Sequence, residues 1–323
     1  MSIILRAAET LTEFDQLAAW FNTLEDEVST GPGLQAYFEA QRERITLKVA
    51  EDEHKPGELL GFTWIARDKL QADRARFYLY VKPEQRQQGL GQFLYEDLLR
   101  TAQQAQLRQL HVALWDHSPE DRAYAERRGF TERLHEFAMT LDLRAFDDQP
   151  YDALLTRLEG EGFQFTSMAE LGDTEAARRQ LYLLNEATSM DIPGAGGEPS
   201  WASFEDFQSS VCQASWYLPA GQKVVIDSVA GTWAAMSAIT RFEGATYAYN
   251  LHTGVARAYR GQKLGQAVKI TALRFAREVL HMDEVRTHHN AKNTPIIAID
   301  RKFGYQQLPG IFLMEKLLNF RQD

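Results

Sequence analysis

Two short stretches of the chain combine arginine, glycine and an adjoining helix in a way that suits the binding of an anion. Their residues, in chain order, are Arg86, Gln87, Gln88, Gly89, Leu90 and Gly91 in the first and Arg260, Gly261, Gln262, Lys263, Leu264 and Gly265 in the second. Glycines at the start of a helix leave backbone N–H groups uncovered, and the helix N-terminus carries a partial positive charge. An arginine just ahead adds charge-assisted hydrogen bonds. Each stretch therefore predicts a phosphate or pyrophosphate site, with a plain connecting turn as the alternative for either one taken alone.

The two stretches also stand at the same place in a longer pattern. Arg86 precedes the pair Gly129-Phe130 by 43 residues, and Arg260 precedes Gly304-Tyr305 by 44. Each copy reads as strand, polar turn, long helix, strand, short helix and strand, and two unrelated loops have no reason to keep this order and spacing. The sequence therefore predicts a duplicated α/β fold, with a mixed sheet in each copy.

Length and composition limit the kind of protein. The 323 residues fit two domains, which we place at 1–145 and 146–323. The net charge of −10 argues against nucleic acid as a partner, because duplex binding relies on basic side chains, and weakly favours a cationic amine. No apolar stretch is long enough for a membrane helix, the N-terminus lacks a secretory signal pattern, and the single cysteine, Cys212, excludes an internal disulfide. These features predict a cytoplasmic protein with no membrane partner.

The first stretch fits in full the pyrophosphate-loop pattern Arg/Gln-x-x-Gly-x-Gly/Ala of the GNAT N-acetyltransferase superfamily, which the chain therefore resembles. The second departs from it where Lys263 replaces the middle glycine, and this lysine either binds phosphate or impairs the tight turn. The resemblance covers both halves and is closest over 181–317, which is similar to bacterial tandem GNAT proteins distantly similar to mycothiol synthase. The segments that carry it are Leu184-Asn185-Glu186-Ala187, Asp191-Ile192-Pro193, Ser203-Phe204-Glu205, Thr253-Gly254-Val255, Tyr259-Arg260-Gly261, Ala267-Val268-Lys269 and Asn290-Ala291-Lys292-Asn293-Thr294-Pro295.

The resemblance implies two tandem acetyltransferase domains that bind acetyl-CoA. In this superfamily the strand before the loop splays from its neighbour, and the arm of the cofactor lies in the gap. The resemblance thus implies backbone contacts to the cofactor from the strand ends, which are Leu79, Tyr80 and Val81 in the first copy and Thr253, Gly254 and Val255 in the second. One such N–H group would polarise the thioester carbonyl. Contacts from Asn290 and Asn293 are also implied, with helix capping as the alternative for Asn293.

Acyl transfer to an amine needs a base for the amine and an acid for the departing thiol. The tyrosine that supplies the acid in many family members is missing, because its two positions hold Ala125 and Asp300. The second copy offers His252, whose imidazole titrates near neutral pH, and Tyr249 on the same strand. For His252, a structural hydrogen bond at a strand end is the alternative.

The wall of the acceptor site is the other place for chemistry. In the superfamily this wall is the region that here holds Glu186 and Asp191, so these carboxylates are candidates to bind an ammonium group, with plain solvated charges as the alternative. Three histidines, His281, His288 and His289, have no acidic partner at helical spacing, and we predict no metal site.

We therefore expect an acetyl-CoA-dependent N-acetyltransferase that acylates a primary amine of a small molecule or peptide, with catalysis in the second copy. The alternative is a non-catalytic acyl-CoA-binding or sensing protein.

Overall fold

The computed structural model describes residues 2–24, 29–68, 71–193 and 200–319. The strands are β1 (Ile3–Arg6), β2 (Ile45–Asp52), β3 (Leu59–Arg67), β4 (Arg74–Val81), β5 (Gln109–Trp115), β6 (Thr131–Asp142), β7 (Phe163–Ser167), β8 (Gln222–Asp227), β9 (Thr232–Thr240), β10 (Ala248–Val255), β11 (Glu284–Asn290) and β12 (Gln306–Leu317). The helices are α1 (Leu11–Phe21), α2 (Gly31–Ala40), α3 (Leu90–Gln104), α4 (Pro119–Glu126), α5 (Asp152–Gly160), α6 (Glu175–Ser189), α7 (Phe204–Phe207), α8 (Leu264–Glu278) and α9 (Thr294–Phe303). Within the described ranges, no helix has the length and apolar character needed to cross a membrane.

The chain forms two compact units, of which unit 1 consists of Met1–Arg133 and Ile311–Asp323. Its strands follow the order β1-β2-β3-β4-β5, and residues 311–317 of β12 pair with β5. Neighbouring strands run antiparallel except β4 and β5, which are parallel. Helix α1 begins with a capping box formed by Thr10 and Glu13, and its apolar face packs on β2 and β3.

Unit 2 consists of Leu134–Gly310, with strand order β6-β11-β10-β9-β8-β7. Here too the strands are antiparallel except for one parallel pair, β10 and β11. Met236 of β9 packs in one cluster with helices α6 and α7, whereas its neighbour Ala235 packs in another with helix α8. Because adjacent residues of a strand point to opposite faces, α6 and α8 cover opposite faces of this sheet.

The elements after each loop match in length from copy to copy. Helices α3 and α8 both have 15 residues, strands β5 and β11 both have 7, and strands β6 and β12 both have 12. The mixed α/β fold in two tandem copies, predicted from the spacing of the loops, is confirmed.

The two units do not arise from a single cut in the chain. Strand β6 ends the first copy, yet its residues 136–142 pair with β11 in unit 2. Strand β12 ends the second copy, and its residues 311–317 pair with β5 in unit 1. Each unit is therefore completed by the last strand of the other copy. The domains predicted at 1–145 and 146–323 stay a prediction. The two compact units differ from these bounds because β6 lies mostly in unit 2 and residues 311–317 of β12 lie in unit 1.

This exchange predicts that a core substitution near the C-terminus destabilises unit 1. The side chain of Met314 is fully buried in the cluster that also holds Leu110 of β5. Met314→Ala should lower the free energy of unfolding by about 2–5 kcal/mol, because it leaves a cavity. Hydrogen exchange should then accelerate in peptides from β5. Leu317→Ala is the control, since Leu317 is 70% exposed. Acceleration confined to β11 would contradict the exchange.

Candidate active site

The parallel strands of unit 2 separate soon after they meet. Strands β10 and β11 pair at only two positions, Ala248 with Val285 and Tyr249 with Arg286, although both strands continue beyond them. At the next position the Thr287 hydroxyl donates to the carbonyl oxygen of Asn250, at 3.0 Å. The side chain thus satisfies a backbone acceptor that the sheet no longer pairs, as a buried carbonyl requires.

The gap exposes backbone donors on β10. The N–H of Ala256 donates to the Ala234 carbonyl oxygen at 2.9 Å and so faces β9. Because the direction alternates along a strand, the N–H groups of Val255 and Thr253 face the gap. The strand end predicted to contact the cofactor therefore presents two N–H groups to a ligand.

A β-bulge turns side chains of β10 towards helix α6. In the pairing with β9, Asn250 lies opposite Ile239 and His252 opposite Ala238, so Leu251 is an extra residue. Leu251 packs in the cluster of α6 and α7, and Nε2 of His252 lies 2.8 Å from the Thr188 hydroxyl of α6. Bulges often re-aim a side chain beside an active site, and this one directs His252 towards the α6 face.

The loop before α8 keeps its tight turn despite Lys263. Gly261 and Lys263 have φ of 83° and 66°, in the left-handed region, and Lys263 occupies the N-cap of α8. In unit 1 the left-handed residues of the corresponding loop are Gln87 and Gly89, with φ of 60° and 88°. Both loops therefore have left-handed residues one and three positions after the arginine. Glycine is the second of these residues in unit 1 and the first in unit 2. The lysine does not abolish the turn.

The arginine ahead of each helix has the same anchor. Nε of Arg260 donates to the Val255 carbonyl oxygen at 3.1 Å, and Nε of Arg86 donates to the Val81 carbonyl oxygen at 3.2 Å. In unit 2, Arg260 also donates to Asp191, which forms an ion pair with Arg257 as well.

These contacts bear on the predicted part of Asp191 at the acceptor wall. Hydrogen bonds from Arg257, and then from Arg260, lower the pKa of Asp191 to about 2. The carboxylate is thus engaged by two guanidinium groups, and this geometry favours a part in positioning the loop over a part in binding an ammonium group.

A cleft of about 520 Å³ in unit 2 joins the strand gap, the loop and the α6 side. It brings together twelve residues predicted from the sequence, namely Asp191, His252, Thr253, Gly254, Val255, Arg260, Gly261, Lys263, Leu264, Gly265, Asn290 and Asn293. Three others, Tyr249, Glu186 and Gln262, are not among its lining residues. The Glu186 carboxylate accepts from the Ser200 N–H at 2.7 Å.

The two asparagines line the cleft in different ways. The Asn290 amide donates to the Pro193 carbonyl oxygen at 2.5 Å, and its side-chain oxygen accepts from the Lys292 N–H at 2.9 Å. Asn293 occupies the N-cap of α9, but its side chain makes no capping hydrogen bond. The side chain of Asn293 therefore does not cap α9, contrary to the alternative considered for it.

Both predicted catalytic side chains, His252 and Tyr249, are neutral at pH 7. Burial lowers the pKa of His252 to about 4, so the ring is neutral at pH 7. The Thr188 hydroxyl also lies 2.9 Å from the Leu184 carbonyl oxygen, to which it can only donate. It therefore accepts from Nε2–H of His252, which leaves Nδ1 as an acceptor. Burial raises the pKa of Tyr249 to about 12, and its hydroxyl is bonded to Nδ1 of His288.

Unit 1 has the same loop but not the same surroundings. Strands β4 and β5 also diverge, after three parallel pairs, and the Lys82 N–H donates to the Leu60 carbonyl oxygen at 2.9 Å. By alternation the N–H groups of Val81 and Leu79 thus face the gap. However, β4 pairs with β3 in continuous register, without a bulge. Tyr80 stands where the second copy has Gly254, and its ring stacks on Trp20 at a centroid distance of 4.8 Å.

The remaining loop residues of unit 1 are held locally. The Gln88 amide donates to the Glu84 carbonyl oxygen at 2.9 Å, and Leu90 is buried at the start of α3. The Tyr124 hydroxyl donates to the Gly91 carbonyl oxygen at 2.8 Å.

Sequence reasoning missed an ionisable group in the wall of the cleft. His289 lines the cleft and is bonded to Asp300, which is paired in turn with Lys269 of α8. The sequence signal was a lysine among the buried apolar residues of α8, but the partners lie on other elements.

The left-handed residues predict a measurable effect on stability. Lys263→Gly removes a left-handed penalty of about 1 kcal/mol, offset in part by the backbone entropy of glycine. The free energy of unfolding, measured in urea, should therefore stay equal or rise. Gln87→Gly is the matched variant in unit 1 and should change stability in the same direction. A clear loss of stability in Lys263→Gly would mean that the side chain makes contacts worth more than the strain.

Comparisons with known proteins identify the fold. Residues 43–132 match the acetyltransferase (GNAT) domain family. The chain is similar to a GCN5-related N-acetyltransferase from Sphaerobacter thermophilus, with 16% identity, a TM-score of 0.61, and 98% of this chain and 95% of that chain covered. It is also similar to a tandem GNAT protein from the clavulanic acid biosynthesis pathway, with 17% identity, a TM-score of 0.56 and 99% of each chain covered.

A third similar structure is the glucosamine N-acetyltransferase region of a fungal multi-domain GH3 β-N-acetylglucosaminidase, with 13% identity and a TM-score of 0.63 over 98% of this chain and 38% of that chain. No curated protein matches the sequence. Identities this low establish the fold and not the substrate. Residues 43–132 thus match the GNAT domain family, and the chain has the fold of tandem GNAT proteins.

Proposed function

We propose that this protein is an acetyl-CoA-dependent N-acetyltransferase that acts on a primary amine of a small molecule or peptide, and that catalysis takes place in unit 2. The observation that carries the proposal is a cleft of unit 2 in which the glycine-containing loop before α8, the strand N–H groups that face the gap, and His252 meet. A ligand with a phosphate end, an extended arm and a reactive end matches these three parts in order.

The residues of the cleft fit the cofactor that the GNAT family uses. The N-terminus of α8 and the adjacent arginine suit a pyrophosphate, and Lys263 adds a further positive charge beside them. A Cβ at Gly265 would lie 3.2 Å from Val255 Cγ2, a tight contact, so glycine favours this close approach of the helix start to the strand. We expect the loop from Arg260 to Gly265 to hold the phosphates and the N–H groups of Thr253 and Val255 to hold the arm. When bound, acetyl-CoA supplies an activated acyl group.

His252 then acts on the acceptor amine. Its ring is neutral at neutral pH, and Thr188 fixes the Nε2–H tautomer, so Nδ1 can accept a hydrogen bond from the amine. Backbone N–H groups in the gap can stabilise negative charge that develops on the acyl oxygen. A Cβ at Gly254 would contact the Thr188 hydroxyl, so glycine is needed for this approach of α6 to β10.

Unit 1 supports binding without catalysis. Its loop has the same left-handed positions and the same arginine anchor as that of unit 2. However, the stacked rings of Tyr80 and Trp20 occupy the place that corresponds to Gly254, and no bulge re-aims β4. A bound but unreacted cofactor is the role that these features favour.

Substitution of the loop glycines tests the cofactor assignment. Gly265→Glu should lower the affinity of unit 2 for CoA by about 100-fold or more, or about 3 kcal/mol, because a carboxylate then faces the pyrophosphate. Gly91→Glu should do the same in unit 1 without loss of transfer activity. Calorimetry with CoA measures both affinities, and Gln306→Glu, on an exposed strand position, controls for charge. Unchanged affinity in both glycine variants would refute the assignment, and activity lost only in Gly91→Glu would move catalysis to unit 1.

Substitution on β10 tests the catalytic assignment. Loss of a general base or acid typically lowers the rate by about 10²- to 10⁴-fold. His252→Ala should lower kcat much more than it lowers CoA affinity or stability. Tyr249→Phe should have a smaller effect, because Tyr249 does not line the cleft, and Tyr78→Phe should have little effect. Steady-state kinetics with acetyl-CoA and a panel of amines provides the measurement. Full activity in His252→Ala would place the chemistry elsewhere, and CoA binding with no transfer to any amine would favour the acyl-CoA-binding alternative.

A further inference from the structure

Three ionisable side chains meet in the core of unit 2, behind the cleft. Lys269 of α8 and Asp300 of α9 form an ion pair with both side chains fully buried, and Oδ2 of Asp300 lies 2.7 Å from Nε2 of His289. Taking charges out of water is costly, and apolar residues of similar volume often give a core of equal or greater stability. A contribution to stability is therefore a weak explanation for a buried group of this kind.

The duplicated fold provides an internal comparison. Counted along the matched helices and strands, the positions of Lys269, His289 and Asp300 correspond to Tyr95, Leu114 and Ala125 of the first copy. In unit 1 these residues belong to, or pack on, one hydrophobic cluster. The scaffold thus folds without a lysine–aspartate–histidine group, so its presence in unit 2 points to the cleft of that unit.

Of the three residues, His289 is the one that lines the cleft. Burial favours the neutral acid, but Lys269 and His289 outweigh this effect and hold the pKa of Asp300 below its usual value. An ionised carboxylate only accepts hydrogen bonds, so Nε2 of His289 carries the proton. Nδ1 is then the ring nitrogen left to exchange a proton with the cleft.

The surroundings of His289 separate it from His252. Lys269 and Asp300 are the charged groups beside it, strand β6 presents the Phe137 ring at a centroid distance of 6.3 Å, and Tyr305 lies under Lys269 with its pKa raised by burial. Its polar partners thus lie on α8 and α9, at the side of the phosphate loop. His252 is bonded to α6 instead. Because α6 and α8 cover opposite faces of the sheet, the two histidines approach the cleft from opposite sides.

We propose that His289 donates the proton that the leaving sulfur takes up in the acyl transfer, and that Asp300 and Lys269 are positioning residues for it. This inference rests on the proposed function. As the carbon–nitrogen bond forms, the carbon–sulfur bond breaks and its electron pair stays with sulfur. Before this step Nδ1 of His289 takes up a proton from solvent, while Nε2–H stays bonded to Asp300. Sulfur gains that proton from Nδ1–H, and the amine nitrogen loses one through Nδ1 of His252 to solvent. The ring returns to its neutral Nε2–H form, so protons and electrons balance.

His289→Gln is the direct test. Glutamine keeps an N–H donor for Asp300 but cannot pass a proton at neutral pH. The variant should keep its CoA affinity within about twofold, while kcat with a reactive amine falls by about 10²- to 10⁴-fold with little change in KM. His281→Asn, at an exposed histidine outside the cleft, is the control and should leave both values unchanged.

A second measurement uses the protein without ligand. Nitrogen NMR of the histidine rings should show the proton of His289 on Nε2. The double variant Lys269→Met/Asp300→Asn removes both charges together, which avoids an unpaired buried ion. It should fold with a melting temperature near that of the wild type, lose the fixed tautomer at His289, and lower kcat while CoA affinity is retained.

The outcomes separate this inference from the proposed function. If the wild type fails to bind CoA or to acetylate any amine, the proposed function fails and takes the inference with it. If the wild type is active and His289→Gln retains its kcat, only the role of His289 is overturned. In the wild type without ligand, a proton on Nδ1 with none on Nε2 would overturn the positioning role. An unchanged tautomer and kcat in the double variant would do the same.

Discussion

The cleft of unit 2 depends on one constraint, which is that every backbone group left unpaired where β10 leaves β11 must find another partner. The ladder stops at Tyr249 and Arg286, inside the sheet and away from any edge. The Thr287 hydroxyl donates a hydrogen bond to the Asn250 carbonyl oxygen, and the Arg260 side chain donates one to the Val255 carbonyl oxygen. Acceptors are thus satisfied from within the chain, while donors that face the gap remain for a ligand. The same constraint connects the loop before α8 to strand β10, because Arg260 belongs to the loop and donates to the Val255 carbonyl of the strand.

The two copies show which features belong to the scaffold and which to the site. The left-handed loop positions, the arginine anchor and the diverging parallel pair occur in both units. The bulge at Leu251 and the glycine at 254 occur in the second copy, where the first has continuous pairing and Tyr80. The geometry of the loop therefore needs little beyond the shared scaffold, whereas the α6 side of the cleft needs the bulge and the glycine.

Much of this arrangement was predictable because its signals are local. The loops, the helices that follow them and the strands on either side carry their patterns within a few residues, and the nearly equal spacing in the two copies predicted the duplication. The left-handed conformation of Lys263 was not predictable. Sequence alone does not show that Gly261, two residues earlier, takes the other left-handed position of the loop. The Lys269, His289 and Asp300 group was also missed, since it depends on side chains from three elements. His288 and His289 are adjacent in sequence but point to opposite faces of the strand, which sequence spacing alone does not reveal.

Strand pairing was the other feature that could not be predicted. Strands β6 and β12 have equal lengths and stand at equal places in the two copies, so nothing in the sequence shows which strand joins which sheet. That exchange has a consequence for how the protein is made. Strand β5 pairs with residues 311–317, so unit 1 cannot complete its sheet until the ribosome has released that distant segment. Until then β5 presents an open edge, the kind of surface that chaperones cover and that nascent chains use to aggregate. A gene split after the first copy would yield two fragments, each carrying the strand that the other requires. Such fragments would have to find each other to fold, so the covalent link between the copies serves assembly.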